Sequence, residues 1–176
     1  MSGHNKWSKI KHKKAASDAK KSKDFSKIVK LLLVEAKAAE GNRNSPGLKA
    51  VIEKARAMNV SGDTIEKAIK KGQSTDTSLM TAITYEAYGP GGIAIVIQAL
   101  TENRNKAAAE IKHILAKHGV TLAGIGAATW AFVREGMSWV PQTTVDAEEE
   151  DLQKIAALVE ELEDNDEVQE VFINAA

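Results

Sequence analysis

The 176-residue chain contains no cysteine. That excludes disulfides, thiolate chemistry and cysteine-based zinc sites. No apolar run approaches the roughly 20 residues that a membrane-spanning helix needs. The N-terminus has the lysines of a signal peptide but no apolar stretch behind them, so export is not expected and a cytoplasmic protein is. Arginine is scarce, with Arg43, Arg56, Arg104 and Arg134 the four present. A formal net charge of zero gives no reason to expect a polyanion-binding protein until the charges are placed along the chain.

Placed along the chain, they separate. Residues 1–30 hold ten lysines against Asp18 and Asp24, net +8, whereas residues 146–176 hold twelve acids against Lys154 alone, net −11. The remaining residues, 31–145, carry net +3. A polyanion meets attraction at one end and repulsion at the other. Nucleic acid is the simplest such partner. With 43% hydrophobic and 27% charged residues, the composition is that of a globular protein long enough for one ordinary domain or two small ones.

The first 72 residues read as helices. Phe25, Ile28, Val29, Leu32, Leu33 and Ala36 recur at steps of three and four, predicting an amphipathic helix over residues 24–40 that stops at Gly41-Asn42. Ser45-Pro46 supplies a cap and a first-turn proline for a second helix, with Leu48, Val51, Ile52 and Ala55 inward. Ser61 caps a third, with Ile65, Ala68 and Ile69 inward and Gly72 just past its end. The polar stretch 73–79 is taken as a boundary, giving domains 1–79 and 80–176. Beyond it, runs 83–88 and 93–100 flank Gly89-Pro90-Gly91-Gly92 and predict a hairpin. Asn103 caps a helix with Ala107, Ile111, Ile114 and Leu115 inward, ending at Gly119. Strands follow at 127–133 and 138–140. Asp146, with Glu149 three residues on, reads as the capping box of a helix burying Leu152, Ile155, Ala156, Val159 and Leu162. A strand at 168–173 closes the chain. The expectation is an α+β protein: a helical domain, then a ferredoxin-like antiparallel sheet domain with an added strand at 83–88.

The candidate contact residues lie in the arm. Lys6-Trp7-Ser8-Lys9-Ile10-Lys11-His12-Lys13-Lys14 and Lys20-Lys21-Ser22-Lys23 crowd like charges that weaken a helix unless an anion neutralises them. As a helix, the first stretch places Trp7, Ile10 and Lys14 on one face and Lys6, Lys9 and Lys13 on another, so that the aromatic and the isoleucine can anchor the segment while lysines reach phosphates. A solvated lysine face is the plainer alternative. Arg104, in Asn103-Arg104-Asn105 at a helix start, can grip phosphate or simply follow a cap. The glycine-rich loop leads into a strand rather than a helix, so it reads as a turn and not a phosphate cradle, with contact of its amides, Tyr85 and Tyr88 to a base or sugar as the lesser alternative. His4 and His12, like His113 and His118, lack the spacing of a helical metal pair, and no metal or other cofactor is expected. The acids of 160–167 read as a solvated helix end. No nucleophile–base signature appears, so no catalytic residue is expected.

Four ordered blocks resemble the YebC family, which includes the mitochondrial translational activator of cytochrome c oxidase subunit I. They are Gly3-His4-Asn5-Lys6-Trp7 continuing through Ile10-Lys11-His12-Lys13-Lys14-Ala15-Ala16 to Asp18-Ala19-Lys20; Tyr85-Glu86-Ala87-Tyr88-Gly89-Pro90-Gly91-Gly92; Glu102-Asn103-Arg104-Asn105; and Leu162-Glu163-Asp164-Asn165-Asp166-Glu167-Val168-Gln169-Glu170-Val171. The resemblance implies a regulator of gene expression that associates with nucleic acid and has no catalytic activity. Members are described both as DNA-binding transcriptional regulators and as ribosome-associated factors that help translation through proline-rich stalls. Family members usually carry a further small α/β domain between the regions matching Phe132 and Val140. This chain instead passes from Arg134-Glu135-Gly136-Met137 straight into Ser138-Trp139-Val140-Pro141.

The leading expectation is therefore a translation factor associated with ribosomal RNA, and possible partners include the ribosome itself. A DNA-binding transcriptional regulator is the alternative, and an adaptor using the acidic end to hold a basic protein is a second. No membrane and no small-molecule substrate is expected. Lysine in place of arginine favours phosphate contact over base reading, because bidentate recognition of guanine is mainly an arginine task.

Overall fold

The structure, a computed structural model, describes residues 6, 7, 9, 10, 18–74 and 80–176. It divides into two compact units. One is helical and lies within residues 16–80; the other is α/β, lies within residues 81–176, and also takes in the described residues of the arm, Lys6, Trp7, Lys9 and Ile10. The sequence reading grouped those four residues with the helices of 1–79. Their packing puts them on the α/β unit, so in chain order the helical unit is inserted after the arm.

The helical unit comprises α1 (Asp18–Ala38), α2 (Pro46–Ala57) and α3 (Gly62–Gln73). α1 begins before the expected residue 24, because the lysine-rich turns preceding Phe25 are helical too. Its stripe of Ile28, Leu32 and Ala36 is buried, as are Leu48, Val51, Ile52 and Ala55 of α2 and Ile65, Ala68 and Ile69 of α3. Phe25, expected inward, is exposed. The stops and starts are local chemistry. Gly41 takes φ +79° and its amide donates to the Ala36 carbonyl at 2.9 Å, which ends α1 in a left-handed turn. The Ser45 hydroxyl accepts from the Leu48 amide, and Ser61 from Thr64 at 3.2 Å. Gly72 is not past the end of α3 but inside it, buried where α3 crosses α1. A Cβ there would stand 2.5 Å from the Leu33 carbonyl oxygen.

The α/β unit runs β1 (Thr81–Tyr88), β2 (Ala94–Thr101), α4 (Arg104–Lys117), β3 (Phe132–Glu135), β4 (Ser138–Pro141), α5 (Glu149–Asp164) and β5 (Val168–Ile173). β1, β2 and β5 form an antiparallel sheet in the order β1-β2-β5. β2 is buried on both faces. Ile95, Ile97 and Ala99 join the core with Ile111 and Leu115 of α4 and Leu152, Ile155, Leu158 and Leu162 of α5. Ala94 and Val96 point the other way, toward Ala131, Phe132 and Trp139. That alternation is the period of two of a strand, here satisfied twice over. The α+β class and the added strand are as expected. Within the sheet, β1 occupies one edge of β2, and β3 and β4 pair with each other as a separate two-stranded ribbon over the second face.

Three local expectations are corrected. The strand expected from residue 127 starts only at Phe132, because residues 123–131 form a loop and a short 3-10 turn. α5 begins at Glu149 after Glu148, with no side-chain cap, so Asp146 and Glu149 form no capping box. The acids of its first turn nonetheless sit at the positive end of the helix dipole. Leu158 is buried where Ala156 was expected.

Candidate nucleic-acid interface

The described part of the arm is helical at Lys6, Trp7, Lys9 and Ile10. Residues three apart on a helix share a face. Trp7 and Ile10 use theirs to pack, half-buried, against the apolar core of the α/β unit, while Lys6 and Lys9 stand exposed. Lys6 Nζ lies 4.0 Å from an Asp146 carboxylate oxygen, an exposed pair that contributes little to stability. Lys11, His12, Lys13 and Lys14 lie outside the described residues. Lys20 and Lys21 are exposed on the first turns of α1 and Lys23 is half-buried there. Arg104 is the exposed first residue of α4, near enough to Tyr85 to act on it. Burial pushes the Tyr85 hydroxyl above its ordinary pKa, Arg104 opposes this and Glu167 reinforces it. The expected contact residues are thus distributed over both units rather than gathered on one helix.

The two halves of the chain carry opposite charge. Residues 1–80 hold eighteen Lys and Arg against eight Asp and Glu, and residues 81–176 hold six against sixteen. Several cations of the α/β unit are engaged by its acids. Lys106 Nζ donates to Glu167 at 2.9 Å, Lys154 lies 2.7 Å from Glu150, and Glu161 takes both Lys117 and His118, the latter at 2.7 Å. Hydrogen bonds to Glu167 and Glu150 hold the Lys106 and Lys154 ammoniums above the usual lysine range. Glu161 and Glu167 of the acid tract 160–167 are therefore partners for Lys106, Lys117 and His118, and the tract is not simply a solvated helix end.

Sequence reasoning missed a second basic cluster on the helical unit. Arg43 forks onto Glu66, with Nη1 to Oε1 at 2.7 Å and Nη2 on the other oxygen. The Arg43 hydrogen bond holds the Glu66 carboxyl below its usual range, and Lys70 and Arg56 add to the effect across space. Three cations thus surround one carboxylate. Arg43 and Glu66 are 23 positions apart, so no periodicity along one helix points to the cluster.

The Tyr85–Gly92 block holds a distant loop through Glu86 and Tyr88. Gly91 and Gly92 take φ +73° and +72°, as a tight turn between strands requires. Glu86 is buried at 5% exposure. Its carboxylate accepts from the backbone amides of Gly126 and Ala128 at 2.7 Å and Thr129 at 2.8 Å. Burial pushes its pKa up, but these amides, together with Thr129, outweigh that and hold the carboxyl below the usual range. Converging amides of this kind make an anion site; here the chain's own carboxylate fills it. Tyr88 completes the clamp, its hydroxyl donating to the Ala127 carbonyl at 2.5 Å and accepting from the Trp130 indole at 2.7 Å. One signal in the sequence was the lone acid inside an otherwise uncharged strand.

No group of three or more metal-ligating side chains occurs among the described residues, and no described helix is long and apolar enough to cross a membrane. A shallow hollow of about 270 Å³ is lined by Pro90, Lys117, His118, Lys154, Ala157 and Leu158. Its His118 and Lys117 face Glu161 rather than a nucleophile.

Residues 5–75 match the TACO1/YebC protein N-terminal domain. Residues 80–138 and 133–175 match the TACO1/YebC second and third domain in two stretches that overlap over residues 133–138, across β3 and the β3–β4 turn. A probable transcriptional regulatory protein of Thermosipho africanus is 46% identical over 172 residues, covering 96% of this chain and 68% of that protein. Its counterpart in Petrotoga mobilis is 42% identical, covering 98% and 70%. Among solved structures, a conserved hypothetical protein from Aquifex aeolicus superposes with a TM-score of 0.79 at 28% identity, covering 94% of each chain.

Proposed function

The chain belongs to the TACO1/YebC family, and from that premise we propose that it is a non-catalytic, nucleic-acid-binding regulator of gene expression. In this reading it acts in the cytoplasm as a ribosome- or RNA-associated translation factor that helps elongation through proline-rich stalls. The observation that carries the nucleic-acid reading is the separation of charge: a strongly basic N-terminal half joined to a strongly acidic C-terminal one. Lys6, Lys9, Lys20, Lys21, Lys23 and Arg104, together with Lys11, His12, Lys13 and Lys14, are the proposed phosphate contacts. Lysine-dominated contacts position a protein on a phosphate backbone without reading bases, which favours a structured RNA target over a discrete operator. The relatives' extra length is placed by this reading at the β3–β4 turn, where the two matched stretches overlap.

A second reading, a DNA-binding transcriptional regulator, is favoured by the description of the relatives as probable transcriptional regulatory proteins. Titration against ribosomal RNA, random duplex and genomic promoter fragments at one salt concentration separates the two. The translation reading expects similar affinity for duplexes of any sequence, together with co-sedimentation with ribosomes. A single promoter fragment bound about a thousandfold tighter than random duplex, with no ribosome association, would replace it by the transcriptional one.

A further inference from the structure

We infer that Trp7 and Ile10 are positioning residues: they anchor the start of the arm on the α/β unit so that Lys6 and Lys9 are held out toward a polyanion, and Trp7 itself does not stack on a base. This rests on the reading of the arm as a phosphate-binding element and goes beyond it, because the sequence left Trp7 both as an anchor and as a contact, and the packing of its side chain decides between them. The geometry separates the two roles by face. Trp7 and Ile10 pack half-buried against the core formed by Ile95, Ile97, Leu152 and Ile155 and their neighbours. Lys6 and Lys9, one position before each, are exposed. A side chain half-buried against a protein core has less of its ring to offer than a stacking residue of a single-strand binder, which presents its ring to successive bases.

The anchoring matters because of the charge carried by the neighbouring residues. Lys6 and Lys9 lie three residues apart on one helical stretch, and like charges at that spacing resist being ordered together. An unanchored arm must lose its conformational freedom on every binding event. An anchored one has lost part of it in folding, so less is lost on association. Neither residue changes how many phosphates the bound arm neutralises. The anchor therefore acts on affinity and leaves the salt dependence, which counts displaced counterions, where it was.

The test uses the full chain with Trp7→Ala, Trp7→Phe and Ile10→Ala. Binding is measured on single-stranded RNA and on inorganic polyphosphate, a polyanion with no bases. Anchoring predicts about tenfold weaker binding for Trp7→Ala, equivalent to about 1.4 kcal/mol, to the same degree on both ligands and with the salt slope unchanged. Ile10→Ala weakens in the same direction, and Trp7→Phe restores most of the loss. Weakening on RNA but not on polyphosphate would show that Trp7 stacks on bases and overturn the inference. Unchanged affinity of both alanine variants, with only a lowered melting temperature, would reduce the contact to a structural one and also overturn it. If the parent chain binds neither polyanion, the functional reading fails first, and that outcome is distinct from the other two.

Discussion

Glu86 is a residue whose surroundings dictate a definite response. A buried carboxylate receiving three amide hydrogen bonds has a single well-matched state, the ionised one. Glu86→Gln keeps the shape but sets an amide NH₂ against backbone donors. Loss of a charged, buried hydrogen-bonding partner costs about 1.5–3 kcal/mol, which lowers the melting temperature of a chain this size by roughly 4–10 °C, readable by calorimetry at neutral pH. The sign with pH follows from the lowered pKa of the folded state. Stability from Glu86 is fully present above the unfolded glutamate pKa of about 4.3 and is lost as pH falls through the lower folded value. The gap between parent and Glu86→Gln should therefore close on acidification below about pH 4. A gap that widened there would mean that Glu86 is protonated in the folded protein. None of this was legible beforehand, because the amides that hold Glu86 come from Gly126, Ala128 and Thr129, some forty positions away.

Among the elements, α1 and α3 meet at Gly72 with no room for a side chain. Beyond the Leu33 carbonyl, a Cβ at Gly72 would stand 2.9 Å from the Ala36 Cβ and 3.3 Å from the Lys37 amide nitrogen. These are groups that cannot swing aside. On an isolated helix, glycine to alanine stabilises by up to about 1 kcal/mol. Here Gly72→Ala must push two helices apart, and the expected outcome is a loss of roughly 1–3 kcal/mol. Gly62→Ala is the control, since a Cβ there meets nothing within 4 Å. Far-ultraviolet circular dichroism melts should show the first variant destabilised and the second neutral or slightly stabilised; equal melting of both would mean that the helices do not approach as described. The caps at Ser45, Ser61 and Asn103 and the buried stripes of α2, α3 and α4 were legible because three- and four-residue steps along one helix fix them. The ends governed by crossings and clamps were not. Gly72 resembles a helix terminus in sequence, and residues 127–131 resemble a strand, until the partner that holds each is known.

At the scale of the whole molecule, a chain of zero net charge is strongly polarised from one end of its sequence to the other. Its basic half was legible from where the charges fall along the sequence, the α+β class from periodicity and element order, and the family resemblance from four ordered motif blocks. The division of labour inside the arm was legible from helical spacing, but its anchoring ground was not, since Trp7 and Ile10 find their partners in the core of the α/β unit rather than in the helices next to them in the chain. Nor was the cluster of Arg43, Arg56 and Lys70 around Glu66, which needs the helical unit to be folded. The central claim is that binding is electrostatic and resides in the arm. It is tested most directly by the salt dependence of affinity for the parent and for a triple variant, Lys11→Glu, Lys13→Glu and Lys14→Glu. If about six phosphates are neutralised, log K falls against log salt with a slope of roughly −4 on single strands or roughly −5 on duplex DNA. The triple variant should bind every sequence more weakly, with the slope reduced in magnitude by roughly 2–3 and the melting temperature unchanged. A slope near zero in the parent, or an identical slope and affinity in the variant, would contradict the claim.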